Sequence, residues 1–422
     1  MKVLFITSLF FSSPPKDGSS IRTFNLIRHL SAENEIVLVS FKENKDQLED
    51  VSQLKKYCRQ LITVDSERRR GLANYLLNLF SFKPFFIWRK YHKEALRIVD
   101  EIFEQSEFDL IHVDGLGAAQ FVLPYTSIPK IMDARDALWP FHQRQMKDEK
   151  NTLLKVYYWM KLLRLRKYEL KTYSEFDRVV FISEVDEKRI LSLSKGKLKN
   201  LTTIPFGVDL PETKPDKSGS YFPSLIFTGN MPYSPNVDAI LYFCKDIFPI
   251  VKEEFPDLRL YVVGRNPGPE ITELSREGNI IVTGEVEDMK VWLAKSTLFV
   301  CPLRYGSGMK IKILEAMAMC KPIVATSVAV EGIKIKNGEN IIIADDSTSF
   351  ALRTIELLQD EKLRNHIREN ARKLVEKEYS WETASSKFNN LYSEAIDSNC
   401  RRDISEIRSK EKIQESLTGV SI

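Results

Sequence analysis

Residues Phe299–Thr326 read FVCPLRYGSGMKIKILEAMAMCKPIVAT. An apolar run opens the stretch, a glycine loop follows, then a short helical pattern carrying one carboxylate. A second apolar run starts directly after Lys321-Pro322. Strand, loop, helix, strand is the repeating unit of a parallel sheet. The loop Gly306-Ser307-Gly308 lets backbone approach a ligand closely. The helix behind it offers free N–H groups and the positive end of its dipole. Lys310 and Lys312 add positive charge, and Glu315 stands one turn further on, where a carboxylate accepts from sugar hydroxyls. These residues predict a site for a ligand both anionic and hydroxylated, a description that fits a nucleotide sugar.

The same alternation extends in both directions. Upstream, apolar runs at Val3–Thr7, Ile36–Ser40, Leu61–Val64, Leu110–Val113, Lys130–Asp133, Arg178–Ser183 and Leu201–Pro205 read as strands, with a helix at Ser20–Ser31. Pro211–Ser220, PETKPDKSGS, is polar, rich in proline and without apolar periodicity, and reads as a linker. The pattern then restarts. Strands are expected at Leu225–Thr228, Arg259–Val263, Ile280–Thr283, Leu298–Pro302, Pro322–Thr326 and Ile341–Ile343, with helices at Asn236–Phe248, Val291–Ala294 and Ser347–Glu376. Short apolar runs between amphipathic helices predict two doubly wound α/β domains, each with its ligand at the carboxyl ends of the strands. The expected division is 1–210, a linker at 211–220, and 221–378. A last amphipathic helix, 379–396, is expected to pack back on the first domain, followed by a polar tail, 397–422.

Composition narrows the function. At 422 residues the chain is too long for one core. Basic and acidic residues number 62 and 58, a net charge of +4, too balanced for a nucleic-acid binder. Five cysteines without paired spacing read as reduced thiols of a cytoplasmic protein rather than a disulfide frame or a metal site. The start, MKVLFITSLFF, lacks a small-residue cleavage site and reads as a buried first strand rather than a signal peptide. No run of 18 apolar residues is present. Two basic, aromatic stretches lie in the first domain. Arg68–Lys93 is one; Phe141–Glu175, with nine Lys/Arg against four Asp/Glu, is the other. They read either as amphipathic helices covering the sheet or as a surface for peripheral contact with the anionic inner face of the cell membrane.

Several segments taken in order carry a resemblance: FTGNMPYSPNVDAI (Phe227–Ile240), VVGRNPGPEI (Val262–Ile271), the run Val282–Thr326, VEGI (Val330–Ile333) and YSW (Tyr379–Trp381). From Met1 to about Ile396 the chain resembles the GT-B glycosyltransferases of retaining family 4, and most of all the bacterial sugar transferases of exopolysaccharide and surface-glycan gene clusters. The resemblance implies a hexosyltransferase that uses a nucleoside diphosphate sugar and a glycan or lipid-linked acceptor, with no metal. Glu315 matches the second glutamate of the family's E-x7-E motif, which binds the nucleotide ribose; the first falls on Ser307. Backbone N–H groups of Ser307, Gly308 and Met309 are then expected to hold the donor. An Arg and a Lys that many members carry after the first strand of the second domain are absent from GNMPYSPN, and Lys312 with Arg304 is the expected replacement. Gly229 and Gly264 would close on the donor, and the loop Gly284–Glu287, with Val286, would read the base through its backbone. In the first domain, Gly18 lies in the matching glycine loop and Arg22 matches the helix-one arginine. Arg135-Asp136 stands where the family often has His-Asp, which makes Asp136 a candidate for catalysis or acceptor contact. Cys320 stands where the family has glycine. Lys312, Glu315 and Asp136 are thus the expected catalytic groups. Two other readings remain beside this one: a GT-B epimerase or phosphorylase, and a non-catalytic nucleotide-sugar-binding partner.

Overall fold

Strands whose residues are apolar at nearly every position cannot leave one face in water, so they must lie inside a parallel sheet covered on both sides. The computed structural model shows two such sheets. It describes residues 1–8, 18–42, 52–65, 77–78, 81, 83–88, 93–139, 142–143, 146, 151–211, 222–306 and 308–418.

The chain divides into two units, Met1–Ile204 with Ser385–Ile422, and Pro205–Ala384. The first contains β1 (Lys2–Thr7), β2 (Glu35–Lys42), β3 (Gln60–Asp65), β4 (Leu110–Asp114), β5 (Lys130–Arg135), β6 (Arg178–Phe181) and β7 (Leu201–Thr203). They pair in the order β3-β2-β1-β4-β5-β6-β7, all parallel, with Phe5 between Leu38 and His112. The second unit holds β8 (Ser224–Thr228), β9 (Arg259–Val263), β10 (Ile280–Gly284), β11 (Leu298–Cys301), β12 (Ile323–Ala325) and β13 (Ile342–Ile343). Their order is β10-β9-β8-β11-β12-β13, again all parallel. Both sheets reverse direction of winding once, between β1 and β4 and between β8 and β11, and these are the points where a doubly wound sheet opens a crevice at its carboxyl edge.

The long C-terminal helix docks on the first unit. The Tyr392 hydroxyl lies 2.6 Å from Nδ1 of buried His112, which stacks on Phe5, and Asn389 accepts from Asn34 at 2.8 Å.

Three elements differ from the sequence reading. The helix expected over Asn236–Phe248 is Ser234–Tyr242, then a wide turn at Phe243–Ile247, then Phe248–Glu254. Pro249 has no N–H to continue the ladder, which accounts for the widened turn. The helix expected over Ser347–Glu376 is two, Ser347–Gln359 and Glu361–Glu378. Asp360 caps the second by accepting from the Leu363 N–H at 2.9 Å. The final helix runs from Trp381 to Thr418, through most of the expected tail. Residues 212–220 of the expected linker, and most of Arg68–Lys93, lie outside the described residues.

Candidate functional site

In the second unit the carboxyl ends of β8 and β9 meet through glycine. A Cβ on Gly264 would lie 1.8 Å from the Gly229 carbonyl oxygen, and one on Gly229 would lie 2.7 Å from Asn236 Nδ2 and 2.9 Å from Lys312 Nζ. Only glycine at 264 allows the two loops to meet, and a side chain at 229 would displace the Asn236–Lys312 pair.

Lys312 sits in the helix Ile311–Ala318, directly behind the glycine loop. Its ammonium donates to Asn236 Oδ1 at 2.7 Å and lies 4.5 Å above the Phe227 ring. Asn236 is buried and donates in turn to the Asn230 carbonyl at 2.9 Å. Asn236 was not singled out in the sequence; its place in GNMPYSPN, where a basic residue was missing, is the signal that pointed to it. Burial lowers the Lys312 pKa, Lys310 adds to that, and Glu315 opposes it.

Glu315 is the exposed residue of this helix, while Ile313, Leu314, Ala316 and Met317 are buried. These apolar neighbours form the inner face of the helix. Surrounding protein raises the Glu315 pKa, with Lys312 acting the other way. Solvent access at the carboxylate tempers that shift. The helix places Lys312 and Glu315 three residues apart, on one side.

The glycine loop uses φ values of 129° at Gly306 and 75° at Gly308. Ser307 lies outside the described residues. Lys310 does not face a ligand: it is buried, and its Nζ donates to the Gly308 carbonyl at 2.6 Å, bracing the loop from beneath. Met309 is buried beside it. The side chain of Lys310, at the cap position, does not cap the helix. Arg304 also departs from expectation. Its guanidinium forms a two-pronged pair with Asp238, with Nε donating at 2.9 Å, and lies 4.7 Å above the Tyr242 ring. The Arg304 side chain stays half-exposed in this pair. Val286 is half-buried in the loop after β10.

The end of the same helix accounts for the glycine that the resemblance places at position 320. The Cys320 N–H bonds to the Met317 carbonyl at 3.0 Å and the Lys321 N–H to the Ala316 carbonyl at 2.9 Å. This pair of bonds is a left-handed helix stop, and Cys320 adopts φ 52°. Glycine enters that region without steric cost. Cys320→Gly is therefore expected to stabilise the protein by roughly 0.5–1 kcal/mol, read as a higher urea midpoint at unchanged slope.

In the first unit, Gly18 begins the helix Gly18–Leu30; Asp17 lies outside the described residues. Arg22 is not at a ligand-facing surface. It is 1% exposed, its Nε donates to Asp133 Oδ2 at 2.7 Å, and its Nη2 donates to Asp133 Oδ1 at 3.3 Å and to the Ile204 carbonyl at 3.2 Å. A guanidinium this buried with a fork-shaped carboxylate partner belongs to the core. Beside it, at the winding reversal, the Asp114 carboxylate accepts from Thr7 at 2.7 Å and Thr23 at 2.8 Å. Arg135 Nε lies 3.2 Å from the same carboxylate. Burial raises the Asp114 pKa, and Arg135 opposes the shift. Arg135 adopts φ 67°, next to a register shift between β5 and β6. Asp136 follows it and is exposed. Among the described residues no group of three His, Cys, Asp or Glu is gathered as a metal site, and no helix is long and apolar enough to cross a membrane.

Comparison with known proteins agrees with this architecture. Residues 222–360 match the family described as glycosyl transferases group 1. An uncharacterized 44.6 kDa protein of the cps region of Klebsiella pneumoniae is 25% identical over 281 residues, 62% of this chain and 69% of that protein. An uncharacterized glycosyltransferase of Methanocaldococcus jannaschii is 22% identical over 357 residues, 82% of this chain and 93% of that one. Among solved structures, Anabaena HepE in complex with UDP superposes with a TM-score of 0.64 at 15% identity, covering 93% of this chain and 100% of that chain. The fold is GT-B.

Proposed function

We propose that this chain, a glycosyltransferase of GT-B fold, moves a hexose from a nucleoside diphosphate sugar to a hydroxyl of a glycan or lipid-linked glycan in surface polysaccharide synthesis, with retention of anomeric configuration. The observation that carries this reading is the Lys312 ammonium, held by Asn236 at the reversal between β8 and β11, with the accessible Glu315 carboxylate one turn behind it. A cation and a helix N-terminus suit a diphosphate, and a carboxylate suits the ribose hydroxyls. The Klebsiella relative's place in a cps region and the UDP in HepE support the same reading.

In this account the bond between the sugar's anomeric carbon and the diphosphate oxygen breaks. Lys312 and the first N–H groups of the helix Ile311–Ala318 stabilise the charge left on the diphosphate. The acceptor hydroxyl oxygen joins the anomeric carbon from the same face, and its proton passes to a diphosphate oxygen. The reading gives leaving-group stabilisation to these groups rather than to a metal ion. It also places the protein in the cytoplasm, at the inner face of the membrane. The helix Thr152–Ser174 supports that placement, since it exposes Leu154, Trp159, Met160 and Leu163 beside Lys155 and Lys167.

The test is release of nucleoside diphosphate from UDP-, GDP- and ADP-hexoses, with and without surface-glycan acceptors, by wild type and Glu315→Ala. Acceptor-dependent release that the variant lacks supports the reading. Sugar conversion without an acceptor would favour an epimerase, and nucleotide binding with no turnover a non-catalytic partner.

A further inference from the structure

The winding reversal of the first sheet carries an arginine that the core holds by one edge only. Asp114 ends β4, and its side chain is 2% exposed. Thr7 and Thr23 both donate to Oδ2 of this carboxylate, while Oδ1 faces Arg135 Nε at 3.2 Å. The terminal nitrogens are left over. Among the described residues no group accepts from Arg135 Nη1 or Nη2, and the side chain keeps 16% exposure. Nη2 rests against Gly115, where a Cβ would lie 2.7 Å from it.

The backbone is shaped around this placement. Arg135 adopts φ 67° and Gly115 φ 82°, both in the region that L side chains rarely enter. β5 shifts register against β6 between Asp133 and Arg135, and the Arg135 carbonyl is fixed by the Ile182 N–H at 2.9 Å. A shift of this kind re-aims a side chain. Rare dihedrals persist where neighbours over-determine them, and they gather at active sites and ligand clamps. Pairing a buried carboxylate does not require any of this. Arg22 serves Asp133 from an ordinary helical position, and it spends Nε and Nη2 on core acceptors at 1% exposure.

We propose that Arg135 is a specificity-determining residue of the first unit, whose terminal N–H groups select a sugar bearing an oxyanion, either a carboxylate or a phosphate. The proposal rests on the reading of the chain as a sugar transferase. The ligand of a doubly wound sheet lies at this carboxyl edge. A guanidinium held by one edge presents its remaining N–H groups in a fixed fork, which two oxygens of a carboxylate or phosphate match. A neutral hydroxymethyl group offers one oxygen and no charge. The acidic groups nearby weaken the attraction without cancelling it. Asp133 is paired with Arg22, and Asp114 spends Oδ2 on two hydroxyls. Asp136 is exposed, where water and salt screen it.

Calorimetric titration of the full chain with methyl glucuronide, glucose 6-phosphate and methyl glucoside tests this. At least one anionic sugar should bind about 10- to 100-fold more tightly than the glucoside, the range for a charge-assisted hydrogen bond. Preference for the glucuronide identifies the oxyanion as a carboxylate, and preference for glucose 6-phosphate identifies it as a phosphate. Arg135→Gln should bring all three sugars to the affinity of the glucoside. Arg135→Lys keeps the charge and loses the fork, so it should retain only part of the preference. Arg135→Gln leaves buried Asp114 short of a partner, so the double variant with Asp114→Asn repeats the measurement without a buried charge; an amide there still accepts from Thr7 and Thr23. Equal affinity of the wild type for the three sugars, binding of neither anionic sugar, or a preference that survives in these glutamine variants would overturn the proposal. The readout uses neither nucleotide nor turnover, so it and the release of nucleoside diphosphate described above can fail independently.

Discussion

Lys312→Met is expected to lower kcat by about 10²–10³-fold, the loss that follows removal of one donor aimed at developing transition-state charge, and to leave the fold intact. The argument starts from cost. Burial lowers the Lys312 pKa, so the folded protein holds its charged form at a disadvantage. A residue kept for packing alone would do better without the charge. Methionine keeps the unbranched stem over Phe227 and removes only the ammonium and its bond to Asn236. Stability should fall by about 1–3 kcal/mol for the Asn236 acceptor left buried without its donor, offset in part by removal of the desolvated charge. Steady-state turnover and a thermal melt on the same preparation check both halves. A variant that melts early but retains kcat would reverse the assignment.

Arg22→Met should act in the opposite manner, with a stability loss of about 3–5 kcal/mol from leaving a buried carboxylate without its partner. Arg22 and Asp133 are each 1% exposed, and the Ile204 carbonyl also loses a donor. The pair spans β5 and the first helix of the first unit, so its loss should loosen the sheet where Asp114 and Arg135 lie. Asp133→Leu in the Arg22→Met background should recover part of the loss, since an apolar pair of similar volume avoids the uncompensated charge. Urea unfolding of the two single variants and the double gives the coupling. If Arg22 served the donor instead, the single variant would melt like wild type and bind nucleotide poorly.

These two side chains show where the sequence was legible and where it was not. Period and composition placed the strands of both sheets to within a residue or two, because a strand buried on both faces has few polar positions to confuse the pattern; β9 is Arg259–Val263 as read. The proximity of the glycine loop, Lys312 and Glu315 was legible because all three lie within one short stretch. Arg22 was misread because its partner is 111 residues away on β5, and an arginine in an amphipathic helix looks the same whether it faces water, ligand or a buried carboxylate. The polar Asp133 inside the run KIMDAR was the available signal. The Arg304 partner, Asp238, is equally hidden from local pattern, lying 66 residues upstream. The preference for glycine at position 320 was not legible because it lies in a backbone dihedral, φ 52°, and the structure gives no reason for the cysteine. Arg135 stood out in the sequence only as a departure from His-Asp; the fold alone brings it to Asp114 and Gly115.

The most direct test of the account is calorimetric titration of UDP, GDP and ADP into wild type and Glu315→Ala. One nucleotide should bind the wild type, and the variant should bind it about 10- to 100-fold more weakly, the loss expected for a charged hydrogen bond to ribose. No binding by the wild type at millimolar nucleotide, or equal affinity in the two proteins, would contradict the assignment of the donor site to the helix Ile311–Ala318.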